Sequence, residues 1–221
     1  MAVLALLMAS GVSVALVAAR IIWTGHLHYG FLAWNLFLAW VPLLFALAAC
    51  DAHQKRVGRN WRFWGFAGAW LLFFPNAPYI FTDIIHLDAS RYGHFWVDLV
   101  LVLLCALTGL VLGFVSLFLM QSVVRRTLGQ AASWLFIAIV AALSGFGVYL
   151  GRVLRFNSWD VLLKPFALSR SIGHWATDPL AHPASFVFPA LFATFMFVAY
   201  VLLYALTHLR QTQHFTFQTT E

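Results

Sequence analysis

Two pairs of side chains carry the chemistry in this sequence. Asp83 and His86 lie three residues apart, and so do Arg152 and Arg155. On a helix that spacing places both members of a pair on one face. A carboxylate beside an imidazole suits general acid–base work. Two guanidinium groups suit an anion, because each presents a planar fork that matches phosphate or carboxylate. Asn157, Ser158 and Asp160 follow the arginines directly, and Asn76 sits between Pro75 and Pro78 shortly before Asp83. One candidate site follows: Asp83 and His86 as catalytic groups, with Arg152, Arg155, Asn76, Asn157 and Asp160 binding the ligand. Two other readings fit the same residues. The acidic and basic groups nearly balance, so they could form an ion-pair lattice tying loops to helix ends. Alternatively Asp83, His86, Asp88, His94 and Asp98 have workable metal spacings, Asp-x-x-His and His-x-x-x-Asp, although such spacings are common by chance.

The elements that position these residues belong in a membrane. Hydrophobic residues make up 63% of the 221 and charged residues 9%, and mean hydropathy is +0.87. Soluble domains carry about 25% charged residues. Apolar runs of bilayer length fall at 2–23, 31–50, 95–121, 131–153 and 185–208, with an irregular sixth at 61–87. The predicted fold is all-α, a single polytopic helical bundle of about six spans over residues 1–221. Trp23, Trp34, Trp61, Trp64, Trp96, Trp134 and Trp159 fall near span ends, as an interfacial belt requires. The N-terminal apolar run lacks a basic leader segment and exceeds the length of a signal-peptide core, so it reads as a retained first helix. Net charge is +6, yet the basic residues are scattered beside apolar spans. They make no stripe for nucleic acid.

Short loops set orientation through their Lys and Arg content. Lys55, Arg56, Arg59 and Arg62 follow the second span, and Arg125 and Arg126 follow the fourth. Both loops are therefore expected inside, with both termini in the cytoplasm of a cell with an inner membrane. The candidate site then faces the extracytoplasmic side, as do His26, His28, His174 and His182. Asn35 falls in the outer part of the second span, where an amide suits an interhelical hydrogen bond.

The third span is broken. Residues 62–74 cover about 20 Å of a core about 30 Å thick, and Pro75-Asn76-Ala77-Pro78 follows. Two prolines three apart remove two backbone donors and disfavour helix before them. Unwound backbone at that depth must be satisfied by protein or by a wet cavity, and broken transporter helices build binding sites in this way; a proline kink patched by Asn76 and neighbouring helices, or a helix that ends at Phe74 before a slightly re-entering outer loop, fits the same residues. Gly109 and Gly113, and Gly147 and Gly151, are each four apart, so each pair opens a groove for a neighbouring helix. After Arg155, Ser158 can cap a turn that runs to Leu163 and stops at Pro165. Trp159, Leu162, Leu163 and Phe166 give that turn an apolar face for the membrane surface, folding it over the arginines as a partial lid. The stretch 169–183 reads as irregular, and Cys50 and Cys105 as two small buried residues.

The same segments carry a family resemblance. Trp34-Asn35-Leu36-Phe37-Leu38-Ala39-Trp40, Phe74-Pro75-Asn76-Ala77-Pro78-Tyr79-Ile80, Thr82-Asp83 with His86-Leu87, and Gly151-Arg152 with Arg155 and Asn157-Ser158-Trp159-Asp160 resemble a bacterial family of multi-pass membrane proteins, domain of unknown function 1361. The resemblance implies a similar topology and carries over no activity. It implies that Asn76, Asp83, His86, Arg152, Arg155, Asn157 and Asp160 belong to the family pattern. Asp88, His94 and the His26–His28 pair fall outside that pattern, which weakens the metal reading.

Familiar enzyme signatures are missing, among them the Gly-rich phosphate loop, His-Glu-x-x-His and Gly-x-Ser-x-Gly. The sequence identifies no cofactor and no oligomeric state. The leading expectation is a protein that binds an anionic group at its outer face, such as a phospholipid or a lipid-linked envelope precursor. It would act as an accessory factor or as a hydrolase or transferase. A transporter using the broken helix and a structural partner subunit are the rival readings, although the inverted repeat common in transporters is not visible.

Overall fold

A computed structural model describes residues 2–27, 29–55, 61–87, 94–177 and 184–217. Among them the order is α1 (Ala2–Thr24), α2 (Gly30–Lys55), α3 (Trp61–Phe73), α4 (Asn76–Tyr79), a 3-10 helix (Ile80–His86), α5 (Phe95–Leu128), α6 (Gln130–Arg152), α7 (Asp160–Leu163), α8 (Pro165–Thr177) and α9 (Ala184–Phe217). The described residues contain no strand. Five helices, α1, α2, α5, α6 and α9, are long and apolar enough to cross a bilayer. The molecule is an all-α, multi-pass helical bundle.

α5 is its central post. Of that helix's most apolar stretch 61% is buried, against 17–39% for the other four. It packs on α1, α2, α4, the 3-10 helix and α6, while α3 leans on α2 and α9 leans on α6. Its core face, with Leu101, Cys105, Leu112 and Leu117, is sealed within the bundle. Outward-facing Leu and Val remain exposed, as lipid-facing positions require. Trp23, Trp34, Trp61, Trp64 and Trp96 are exposed as well. Trp70 is the exception: it is buried, donates to Ser116 Oγ at 3.1 Å and stacks on Phe136.

The sixth expected span is a composite rather than a sixth long helix. α3 has 13 residues, after which the path continues as one α-turn and the 3-10 helix. The backbone at the prolines does not unwind. Pro75 has φ −60° and ψ −21°, Ala77 N–H donates to Phe74 C=O at 3.1 Å, and Tyr79 N–H donates to Pro75 C=O at 3.1 Å. Proline's φ near −65° suits the start of a helix, where its missing N–H costs nothing, so the break is a restart.

The two glycine pairs explain how this restarted helix is held. A Cβ on Gly109 would lie 2.8 Å from Ala77 O, and one on Gly113 would lie 3.0 Å from Ala77 Cβ. From the other side, Gly147 faces Pro75 Cγ at 2.6 Å and Gly151 faces the Tyr79 ring at 3.1 Å. Both grooves are therefore filled within the chain, by the segment that carries the prolines. Pro75 over Gly147 and Tyr79 over Gly151 also fix the direction: this segment and α6 run parallel, toward the same end of the bundle.

Beyond α6 the chain reverses through Arg155, whose φ of 58° is left-handed. α7 then begins at Asp160, with no side-chain cap from Trp159 before it. α7 ends at Leu163, as the expected turn does before Pro165; Pro165 then opens α8, and the stretch expected to be irregular is helical to Thr177. Leu162, Leu163 and Phe166 are exposed, in line with an apolar face for the membrane surface.

Candidate functional site

α4 and the 3-10 helix together deliver a row of polar groups to the C-terminal end of α6. Tyr79, Thr82, Asp83 and His86 fall at i, i+3, i+4 and i+7, and Arg152 meets all four. Its Nε donates to Thr82 Oγ1 at 2.8 Å, and its Nη2 donates to the same oxygen at 2.6 Å and to Asp83 Oδ1. Its Nη1 lies 3.2 Å from His86 Nε2. For Arg152 to donate there, His86 Nε2 must carry the lone pair and Nδ1 the proton. The guanidinium also lies over the Tyr79 ring, 4.4 Å from its centroid, within cation–π range. Thr82 is oriented by donating to Tyr79 C=O at 2.6 Å.

Asp83 is committed on both oxygens, since Asn35 Nδ2 of α2 donates to Oδ2 at 2.8 Å. Exposure across the ion pair is unequal: the Asp83 side chain is 1% accessible and that of Arg152 is 16%. The carboxylate is recessed and the guanidinium is presented.

The remaining members come from the loop after α6. Asn76 Nδ2 donates to Ser158 Oγ at 3.1 Å. Asp160 is buried and accepts from the Asn157 backbone N–H at 2.7 Å. That hydrogen bond, with Lys164 Nζ at 3.6 Å, holds its carboxyl below the usual carboxylate range. Asp160 therefore shapes the turn that presents Asn157 and Ser158.

These groups line one cavity of about 590 Å³ between α2, α3 with its restart, and α6. Asn35, Asn76, Asp83, His86, Arg152, Asn157 and Ser158 form the polar end. Gly68, Leu71, Leu72, Leu143 and Phe146 line the remainder, and Val161 and Leu168 of α7 and α8 reach its margin. Arg155 is apart from it, exposed and with no ion pair or hydrogen bond among the described residues. The paired-arginine receptor thus resolves into one arginine at the cavity and one on the surface.

The other candidate ligands separate too. Asp98 pairs with Arg20 of α1 through a fork, Nε to Oδ1 at 2.6 Å and Nη2 to Oδ2 at 3.0 Å. His94 packs edge-on against Trp23, ring centroids 4.8 Å apart. Asp88, His28 and His182 lie outside the described residues. Among the described residues, no group of three or more His, Cys, Asp or Glu is placed to hold a metal.

Tyr79 and Thr82 are site residues that reading for acids, bases and forks does not select, whereas Asn35, expected to hydrogen-bond between helices, does so onto Asp83. The helical register of 79, 82, 83 and 86 was the available signal for the first two.

Fold and site together define a multi-pass helical membrane protein with a mostly apolar cavity that is polar at one end. The chain belongs to the family described as protein of unknown function (DUF1361), whose profile matches residues 34–202. No curated protein and no solved structure matches it.

Proposed function

We propose that the protein binds an anionic, phosphate-bearing head group at the polar end of this cavity, on the extracytoplasmic face of a bacterial inner membrane. One observation carries the reading: of the two charges that line the cavity's polar end, the Arg152 guanidinium is the more exposed, at 16% against 1% for its counter-ion Asp83. A phosphate arriving there meets the guanidinium, whose Nη1 keeps one N–H beyond the contact with His86, with amide and hydroxyl groups from Asn76, Asn157 and Ser158 around it. Phosphate–guanidinium recognition of this kind is charge-assisted and directional.

Binding is what the geometry supports best, and we assign the protein an accessory role on that basis. A hydrolase or transferase step would rest on His86, which is exposed, because Asp83 has both oxygens engaged and no access for a proton transfer. Transport would need a polar route from Asn76 along α3. Trp70, Phe74, Leu110 and Phe114 are buried apolar residues at that level of the bundle, which favours a closed site over a path.

The test is native mass spectrometry of the full chain extracted from membranes, comparing wild type, Arg152→Ala and the exposed-arginine control Arg126→Ala. A co-purifying phosphate-bearing molecule should persist in wild type and control and be lost in Arg152→Ala. Equal retention in all three refutes the reading. Orientation is tested separately, by single cysteines at Ser90 and Gly58 in a Cys50→Ser, Cys105→Ser background. An impermeant reagent applied to intact cells should reach only the first.

A further inference from the structure

Resting on the head-group reading above, we infer that the ligand is an amphiphile whose hydrocarbon chain lies in the cleft between α3 and α6. The polar cluster occupies only one end of the cavity. Below it, the walls are one face of each helix: Gly68, Leu71 and Leu72 on α3, and Leu143, Phe146 and Leu150 on α6. Both sets follow helical i, i+3, i+4 or i+7 spacing, so each presents a continuous apolar strip. The strips run parallel, as the Pro75–Gly147 and Tyr79–Gly151 contacts require. From Leu143 to Gly151 the cleft extends about 12 Å at 1.5 Å per residue.

Gly68 provides the room. A Cβ there would meet nothing within 4 Å, unlike Gly109, Gly113, Gly147 and Gly151, each of which is filled by a neighbour. Gly68 is thus the one glycine on the cavity wall of α3 that faces open space. The cleft is continuous with the cation at its upper end, so a chain in the cleft brings its phosphate to Arg152. Such a molecule can enter sideways from the bilayer and never has to leave it.

Bilayer tails are as apolar as this cleft, so burying a chain there gains little over leaving it among lipids. The cleft therefore selects by shape, while the head group supplies the affinity. Gly68 is the specificity-determining position in this scheme, and enlarging it should exclude the chain without disturbing Arg152.

The experiment uses the full chain in detergent, titrated with lysophosphatidic acid, with the monoacylglycerol of the same chain as the phosphate-free control, and with glycerol 3-phosphate as the head group alone. Gly68→Phe fills the cleft from α3, and Leu143→Trp fills it from α6. Gly65→Phe adds the same bulk one turn away, at another glycine with nothing within 4 Å and outside the cavity wall. Matched thermal midpoints confirm folding. Wild type and Gly65→Phe should bind lysophosphatidic acid alike, and both cleft-filling variants should bind it about tenfold or more weakly, given the usual cost of overpacking. Glycerol 3-phosphate binding should be unchanged in all of them. Undiminished lipid binding in Gly68→Phe and Leu143→Trp overturns the chain inference and leaves the head-group site standing. The monoacylglycerol bound as tightly as lysophosphatidic acid, or neither phosphate probe bound by wild type, removes the head-group reading itself.

Discussion

Asp83→Asn should destabilise the protein and tighten its grip on an anion at the same time. The substitution keeps side-chain shape and removes one charge. Losing one partner of a fully buried ion pair typically costs about 3–5 kcal/mol, because the other charge is left uncompensated. Arg152 is not fully buried here, at 16% side-chain exposure. It also keeps Thr82, His86 and the Tyr79 face. The expected loss is accordingly smaller, about 2–3 kcal/mol. For a chain of this length that corresponds to about 4–12 °C in thermal midpoint, readable by tryptophan fluorescence in a single detergent. A double-mutant cycle with Arg152→Gln separates the pair from its surroundings, and the two substitutions should be strongly non-additive. Lysophosphatidic acid should meanwhile bind more tightly to Asp83→Asn than to wild type, because the fork has lost its internal counter-ion. An unchanged midpoint with additive cycles would refute the ion-pair assignment. A drop in midpoint with weaker anion binding would refute the view that the guanidinium is the presented charge.

Further expectations follow from neighbouring features. Gly→Ala within a helix usually stabilises by about 0.5–1 kcal/mol, and Gly68→Ala should do so. Gly147→Ala should instead destabilise by about 1–3 kcal/mol, since its Cβ would press on the Pro75 ring at 2.6 Å; equal thermal midpoints for the two variants would contradict the packing. Asp98→Asn should cost about 3–5 kcal/mol, more than Asp83→Asn, because both members of the Arg20–Asp98 pair are buried; thermal unfolding ranks them. Asp160 has a depressed carboxyl pKa, so its hold on the turn is complete above the ordinary aspartate value of about 3.9 and is lost as pH falls through its lower folded value. Protection of the Asn157 amide from hydrogen exchange should then persist through pH 5 in wild type and be absent there in Asp160→Ala. Arg155→Gly should leave the thermal midpoint unchanged or raise it, because glycine adopts a φ of 58° without the Cβ penalty.

The membrane fold was legible because it rests on composition and run length, which need no knowledge of neighbours. The glycine grooves were legible as grooves, but their occupant was not. Nothing in the spacing of Gly109 and Gly113 says that residues 75–80 fill them. The prolines show the converse limit. Pro75 and Pro78 mark an interruption, yet whether the chain unwinds or restarts depends on how tightly α5 and α6 enclose it. At the site, Asp83, His86 and Arg152 were found by chemical type, and tertiary structure brought them together. Arg155 was assigned by the same rule of type and spacing, which held only while α6 continued. The helix ends at Arg152, and the left-handed turn carries Arg155 away. The Arg20–Asp98 pair joins residues 78 apart in sequence, and no local pattern announces a contact of that range.

The Arg152–Asp83 pair also imposes an order on biogenesis. Asp83 precedes its cation by 69 residues, whereas Asn35 precedes Asp83 by 48. A chain inserted from its N-terminus therefore brings the carboxylate into the membrane with an amide already waiting and the guanidinium still to come. An aspartate costs about 2.5–3.5 kcal/mol at the centre of an inserting helix and less toward its end, where Asp83 sits, and until α6 arrives Asn35 is the partner in place to offset that cost. Replacing Asn35 should thus be felt first as poor insertion and turnover of nascent chains. A chain truncated before α6 should be a quality-control substrate, although most of its apolar spans are present.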